Sequence, residues 1–192
     1  MVDPGALAAF APKLYRYLAQ TLHALFSKCA HLEHNFPSSV FPAASFNCGP
    51  QTVSLDHTDY SNLSHGLCAL TALGEYDHTL GGHLILFGVK LLIQFPPGST
   101  ALIPSGCMDH GNTPIGNGET RLSIAQYAAG GLFRWVAYGF RSAKSLLKAK
   151  AGKVFKAKTD KEAGERWKEG LALFSTMDGL QADAASVFNA VD

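Results

Sequence analysis

Leu14, Leu18, Leu22, Leu25 and Phe26 recur every three or four residues between Pro12 and about Cys29. That interval stacks them on one side of a helix, so the segment predicts an amphipathic helix whose stripe is a packing face. From Phe41 onward the period shortens. The runs "AASFN", "QTVSL", "CALTAL", "HLILF", "KLLIQF", "TALIP" and "TRLSIAQYA" are broken by "NCGP", "GEYDHTLGG", "FPPGS" and "PIGNGE". Short apolar runs bounded by Gly and Pro clusters read as strands. Seven or eight of them in about 90 residues, with few helix signals between, predict a sandwich or barrel such as a jelly roll. After Phe140 the chain turns to Ala, Lys, Glu and Leu, which reads as one or two helices to about Phe174 and a weak, fraying one towards Asp192. The expected fold class is mainly β with flanking helices. Its segments are 1–38, a helix packing on the core; 39–141, the β domain; and 142–192, a basic helical segment.

Composition fits that division. The 192 residues are 47% hydrophobic, enough for one domain with appendages or at most two small ones. Formal net charge is only +1, but from Arg134 to Lys168 there are eleven Lys or Arg against three acids, leaving five and twelve elsewhere, or +8 against −7. A lysine-rich helix is more often a solvated face than a contact surface; beside an otherwise acidic chain it is also a candidate for phosphate. Cys29, Cys48, Cys68 and Cys107 are scattered without a CxxC, so reduced thiols are expected. No basic n-region precedes an apolar run at the N-terminus, and no run reaches the ~18 apolar residues of a membrane span. An intracellular protein with no membrane contact is expected.

Chemistry enters at "SLDHTDYSNLSHG". On a strand, residues i and i+2 share a face, so His57 and Asp59 both aim into a barrel mouth. Alone, the triplet is as simply a polar turn. A third ligand must come from a distant strand, and "TALIPSGCMDHGNTPIG" offers His110 after an apolar strand and a turn. Two histidines and one carboxylate make the facial set that leaves open positions on non-haem Fe(II), suited to a bidentate oxoacid and O2. Such a co-substrate needs a cation for its far carboxylate, preferably a planar guanidinium. Arg121, eleven residues after His110, and Ser123 on the same strand face supply one with a hydroxyl beside it. His65, His78 and His83 lack partner spacing and are expected at the surface or behind the ligands. Gly81 and Gly82 read as a tight turn or a close approach before a strand, and Asn47 as a turn residue or a co-substrate contact.

Over Phe41–Phe140, just over half the chain, four stretches carry a family resemblance: "FNCGPQTVSLDHTDYSNL", "CALTALGEYDHTLGGHLIL", "QFPPGSTALIPSGCMDHGNTPI" and "GETRLSIAQYAAGGLFRW". The block resembles the fungal TET/JBP-like family of Fe(II)/2-oxoglutarate dioxygenases. The resemblance implies a double-stranded β-helix, His57, Asp59 and His110 as Fe(II) ligands, and Arg121 as the 2-oxoglutarate anchor. Compared with animal TET enzymes, Asn62 stands where an Asn contacts the target base, and Tyr127 where a Tyr lines the same pocket. Ala129 stands where those enzymes have a base-reading His, and Thr58 where they have Arg, so weak discrimination between 5-methylcytosine and thymine is expected. The resemblance further implies DNA as partner and a nuclear location.

Three functions remain open on sequence: oxidation of a 5-methylpyrimidine in nucleic acid, hydroxylation of a protein side chain or small molecule, and a non-catalytic module that keeps the barrel for binding.

Overall fold

The computed structural model describes residues 4–34 and 36–188. The described residues form two compact units: Phe41–Ala129, and a second built from the segments 4–40 and 130–188.

The first unit holds strands β1 (Ala43–Asn47), β2 (Cys68–Glu75), β3 (Leu84–Leu86), β4 (Leu91–Ile93), β5 (Thr100–Ile103), β6 (His110–Asn112) and β7 (Thr120–Tyr127). A 4-stranded sheet runs β1-β7-β2-β5 and a 3-stranded sheet runs β4-β3-β6, every named pair antiparallel. On the open side of β6 lies the segment 54–57. Asn112 N–H donates to Ser54 O at 2.9 Å, and His57 and His110 exchange main-chain bonds of 3.1 and 3.0 Å. This segment is an irregular eighth strand, and with it both sheets have the interleaved order of a jelly roll. The expected strand "QTVSL" is therefore present only as this loosely bridged segment. His110 follows the apolar strand β5 and a turn at Ser105–Cys107, as expected, and opens the short strand β6, whose "HGN" carries no strand propensity.

The core lies between the sheets. Cys68 and Ala72 of β2, Leu84 and Leu86 of β3, Phe95 of the loop between β4 and β5, and Ile103 of β5 make one buried cluster. Leu84 and Leu86 share one face of β3, as alternation requires, and burying each side chain contributes about 1.5–3 kcal/mol. Before β3, Gly82 adopts φ +68, and a Cβ there would sit 2.4 Å from the Tyr76 ring. Both a turn conformation and a close approach thus require glycine at this position.

The second unit is helical: α1 (Pro4–Phe10), α2 (Pro12–Lys28), α3 (Gly130–Ala137), α4 (Ala143–Leu146), α5 (Lys150–Ala163), α6 (Arg166–Ala172) and α7 (Leu180–Phe188). Pro12, with no N–H to leave unpaired, starts α2, and Leu14, Leu18, Leu22 and Leu25 form its buried stripe. Its partners include the C-terminal helices. Tyr17 stacks on Phe133 of α3 at 5.3 Å, Arg16 Nη2 donates to Ser186 O at 2.6 Å, and Lys13 pairs with Asp183 at 3.2 Å. The N-terminal helix thus shares a compact unit with the C-terminal segment, and α3 begins where sequence suggested β structure. The expected helix towards Asp192 is α7; residues 189–192 lie outside the described residues.

Candidate active site

Strand alternation builds one wall of a cavity of about 580 Å³ in the β unit. Arg121, Ser123, Ala125 and Tyr127 of β7 face it, and on β1 the register sets Asn47 against Ser123 and Ser45 against Ala125. Asn47 is therefore a strand residue, not a turn residue, and its Nδ2 donates to Ser123 Oγ at 2.9 Å. Ser45 Oγ donates to the Tyr127 hydroxyl at 3.4 Å. The opposite wall comes from the other sheet and carries His57, Asp59 and His110.

These three side chains converge. Their ligand atoms all lie within 4.8 Å of one another, and they form the one such group among the described residues. His57 Nε2 is 3.8 Å from Asp59 Oδ1 and His110 Nε2 is 4.0 Å from Asp59 Oδ2. Both separations exceed a hydrogen bond, and an ion bound at about 2.0–2.2 Å from each nitrogen and from one Asp59 oxygen would draw the three side chains closer together. The other face of each ring fixes its tautomer. His57 Nδ1 lies 2.7 Å from Leu55 O and His110 Nδ1 lies 2.9 Å from Met108 O. A carbonyl only accepts, so each Nδ1 carries the proton and each Nε2 turns a lone pair to the cavity. Two neutral imidazoles and a carboxylate are a donor set that fits Fe(II).

Arg121 is the largest fully buried side chain among the described residues, 2% exposed. Its Nη1 donates to Thr52 O at 3.4 Å and Thr52 Oγ1 at 3.3 Å, and Tyr76 is a further hydrogen-bond partner, while Nε has none. No carboxylate pairs with it among the described residues. Burial pushes the guanidinium below its ordinary pKa, opposed by Tyr76; burial likewise raises Tyr76, opposed by Arg121. A buried cation surrounded by neutral groups is a waiting anion site.

Several contributors carried no sequence signal. Thr58 Oγ1 donates to Asp109 Oδ1, clipping the two ligand-bearing segments together. Asn112 holds the segment 54–57 through Oδ1, which accepts from Ser54 N–H at 2.8 Å. Cys68 lines the cavity, and burial, then the Asp59 charge, push its thiol up to about 12. These pairings join residues far apart in sequence. Of the other histidines, His83 Nδ1 sits 3.2 Å from Thr113 Oγ1, and His65, His78 and His83 all stand outside the ligand group.

No family model matches the chain. No curated protein matches it. Among solved structures, NgTET1 in complex with 5mC DNA is similar at 16% identity and TM-score 0.45, over 68% of this chain and 50% of that one. The viral collagen prolyl hydroxylase vCPH from Paramecium Bursaria Chlorella virus-1, as its 2OG complex, is similar at 13% identity and TM-score 0.31, over 58% of this chain and 71% of that one. The chain thus spans about half the length of NgTET1. The jelly-roll assignment rests on the strand pairing itself. No helix among the described residues is long and apolar enough to cross a membrane.

Proposed function

We propose that the chain is an Fe(II)/2-oxoglutarate-dependent dioxygenase of the TET/JBP-like kind. The observation that carries this is the pairing, in one cavity, of the His57–Asp59–His110 group with a buried guanidinium that pairs with no carboxylate among the described residues. A metal site alone serves many chemistries. A metal site beside an unneutralised arginine fits an oxoacid with a second carboxylate. Fe(II) bound there, with 2-oxoglutarate and O2, supplies oxidative decarboxylation to succinate and CO2 coupled to hydroxylation of a substrate C–H bond.

The protein's own groups do the rest. Arg121 holds the distal carboxylate with its planar fork, and Ser123, fixed by the Asn47 amide, offers its hydroxyl to the same end. Bare Nε2 atoms on His57 and His110 hold the ion, and Asp59 partly offsets its charge. Tyr127 gives the substrate a flat wall.

For the substrate we propose a 5-methylpyrimidine, 5-methylcytosine or thymine, flipped from DNA into the cavity. Charge supports a nucleic acid: Lys144, Lys148, Lys150 and Lys153 are exposed and without a carboxylate partner among the described residues. A nuclear location goes with that substrate. Ala129 offers no polar group to reject one pyrimidine, so discrimination between the two bases is weak.

Anaerobic titration of Fe(II) protein with 2-oxoglutarate is expected to produce a metal-to-ligand absorption band. His57→Ala, Asp59→Ala and His110→Ala each remove the band and 2-oxoglutarate turnover while leaving the far-UV spectrum intact. A band that survives His110→Ala overturns the ligand set. Nucleoside mass spectrometry after incubation with methylated DNA tests the substrate; succinate without an oxidised pyrimidine, together with turnover of a peptide or small molecule, transfers the reading to that class.

A further inference from the structure

Asn62 stands three residues after Asp59 and lines the same cavity. Its main chain is pinned at two points: its N–H donates to Asp59 O at 2.8 Å, and it bridges to Ala129. The side-chain nitrogen has two hydrogens, and both are engaged. Nδ2 donates to Asp59 Oδ2 at 3.1 Å and to Ser105 Oγ at 3.0 Å. Ser105 is 1% exposed, and its carbonyl accepts the Asp59 N–H at 2.9 Å. Asp59 is therefore gripped from both ends, its main chain by Ser105 and its carboxylate by Asn62. A nitrogen so engaged has no hydrogen left for a substrate base.

We propose that Asn62 is a positioning residue for the Asp59 ligand, anchored by Ser105, and that it selects Oδ1 as the oxygen presented to the metal. This rests on the dioxygenase reading above. With Oδ2 engaged, the carboxylate occupies one coordination position, and the positions needed by a bidentate oxoacid and O2 stay free. Hydrogen bonds to ligating carboxylates orient them, and their loss typically costs about 10- to 100-fold in metal affinity. Ser105 lies behind Asn62 and does not line the cavity, so it acts on the metal through Asn62 and Asp59.

Mn(II) titration by calorimetry, without 2-oxoglutarate or substrate, separates the two roles for Asn62. In the full chain, Asn62→Ala is expected to raise the Mn(II) Kd by about 10- to 100-fold, and Ser105→Ala to raise it by less, with melting curves near the parent's. The substrate KM of Asn62→Ala, measured at saturating metal, stays close to the parent's. An unchanged Mn(II) Kd in both variants, with a raised substrate KM in Asn62→Ala, overturns the proposal and makes Asn62 a substrate contact. If Asn62→Ala does not fold, Ser105→Ala carries the test. A parent chain that binds no Mn(II) sinks the metal reading and this one with it; a parent that binds while both variants match it sinks this one alone.

Discussion

Arg121 and Cys68 are buried ionisable groups in one cavity, and burial disfavours the charged form of each. For Arg121 the charge persists because a guanidinium does not give up its proton near neutrality. Arg121→Lys keeps the charge and loses the fork, so 2-oxoglutarate affinity falls by about 10- to 100-fold in a fluorescence or calorimetric titration. Arg121→Met removes an unneutralised buried cation. It should raise folding stability by on the order of 1 kcal/mol while abolishing 2-oxoglutarate binding, both read from melts with and without the oxoacid. Cys68 stays neutral instead, its thiol raised from 9.0 to about 12. The folded state keeps this proton after the unfolded chain has lost it. The resulting stability is full below pH 9 and is lost as pH rises towards 12, at about 1.4 kcal/mol per pH unit. Urea melts of Cys68→Ala across that window should show a flatter slope than the parent; equal slopes would refute it.

At the scale of elements, the site depends on register. Gly74 of β2 pairs with Arg121 of β7, has φ +111, and a Cβ there would meet Thr120 O at 2.2 Å. Gly74→Ala combines a disfavoured backbone conformation with a main-chain clash, so it should cost at least about 1–3 kcal/mol in urea melts and weaken 2-oxoglutarate binding together with stability. Most of this architecture was legible in the sequence, because apolar strands such as "CALTAL" and "TRLSIAQYA" advertise themselves by composition and by their bounding glycines. The exceptions have physical causes. Strand β6 is Gly and Asn beside a ligand, residues chosen by a site rather than by a sheet: a Cβ on Gly111 would stand 2.7 Å from Ser54 O. Helix α3 opens on Gly130 and Gly131, which mark a turn rather than a helix start, and its Trp135 and Phe133 read equally as strand residues. The candidate group His57, Asp59 and His110 was visible through the i, i+2 spacing and the later His and Arg. Ser105, Asp109 and Asn112 were not, since each matters only through a partner more than forty residues away.

At the scale of the molecule, charge is divided between the units. Phe41–Ala129 has Lys90 and Arg121 against six acids, a net of −4; the remaining segments have fourteen Lys or Arg against nine acids, a net of +5. An anionic polymer is therefore attracted by the helices and not by the barrel. Replacing Lys144, Lys148, Lys150 and Lys153 with Gln should lower DNA affinity and flatten its salt dependence, while substrate-independent 2-oxoglutarate decay is unchanged. Filter binding over a salt series checks it, and an unaltered slope would remove these lysines from the interface. The buried guanidinium has a consequence of another kind, for the protein's persistence in a cell. Whatever anion fills the cavity binds the folded chain and not the unfolded one, so at a hundredfold excess over Kd it adds about 2.7 kcal/mol to folding stability. Proteolysis that acts on the transiently opened chain slows accordingly. If the proposed co-substrate is that anion, a cell short of 2-oxoglutarate would hold less of this protein as well as a slower one, its abundance following the supply of the metabolite.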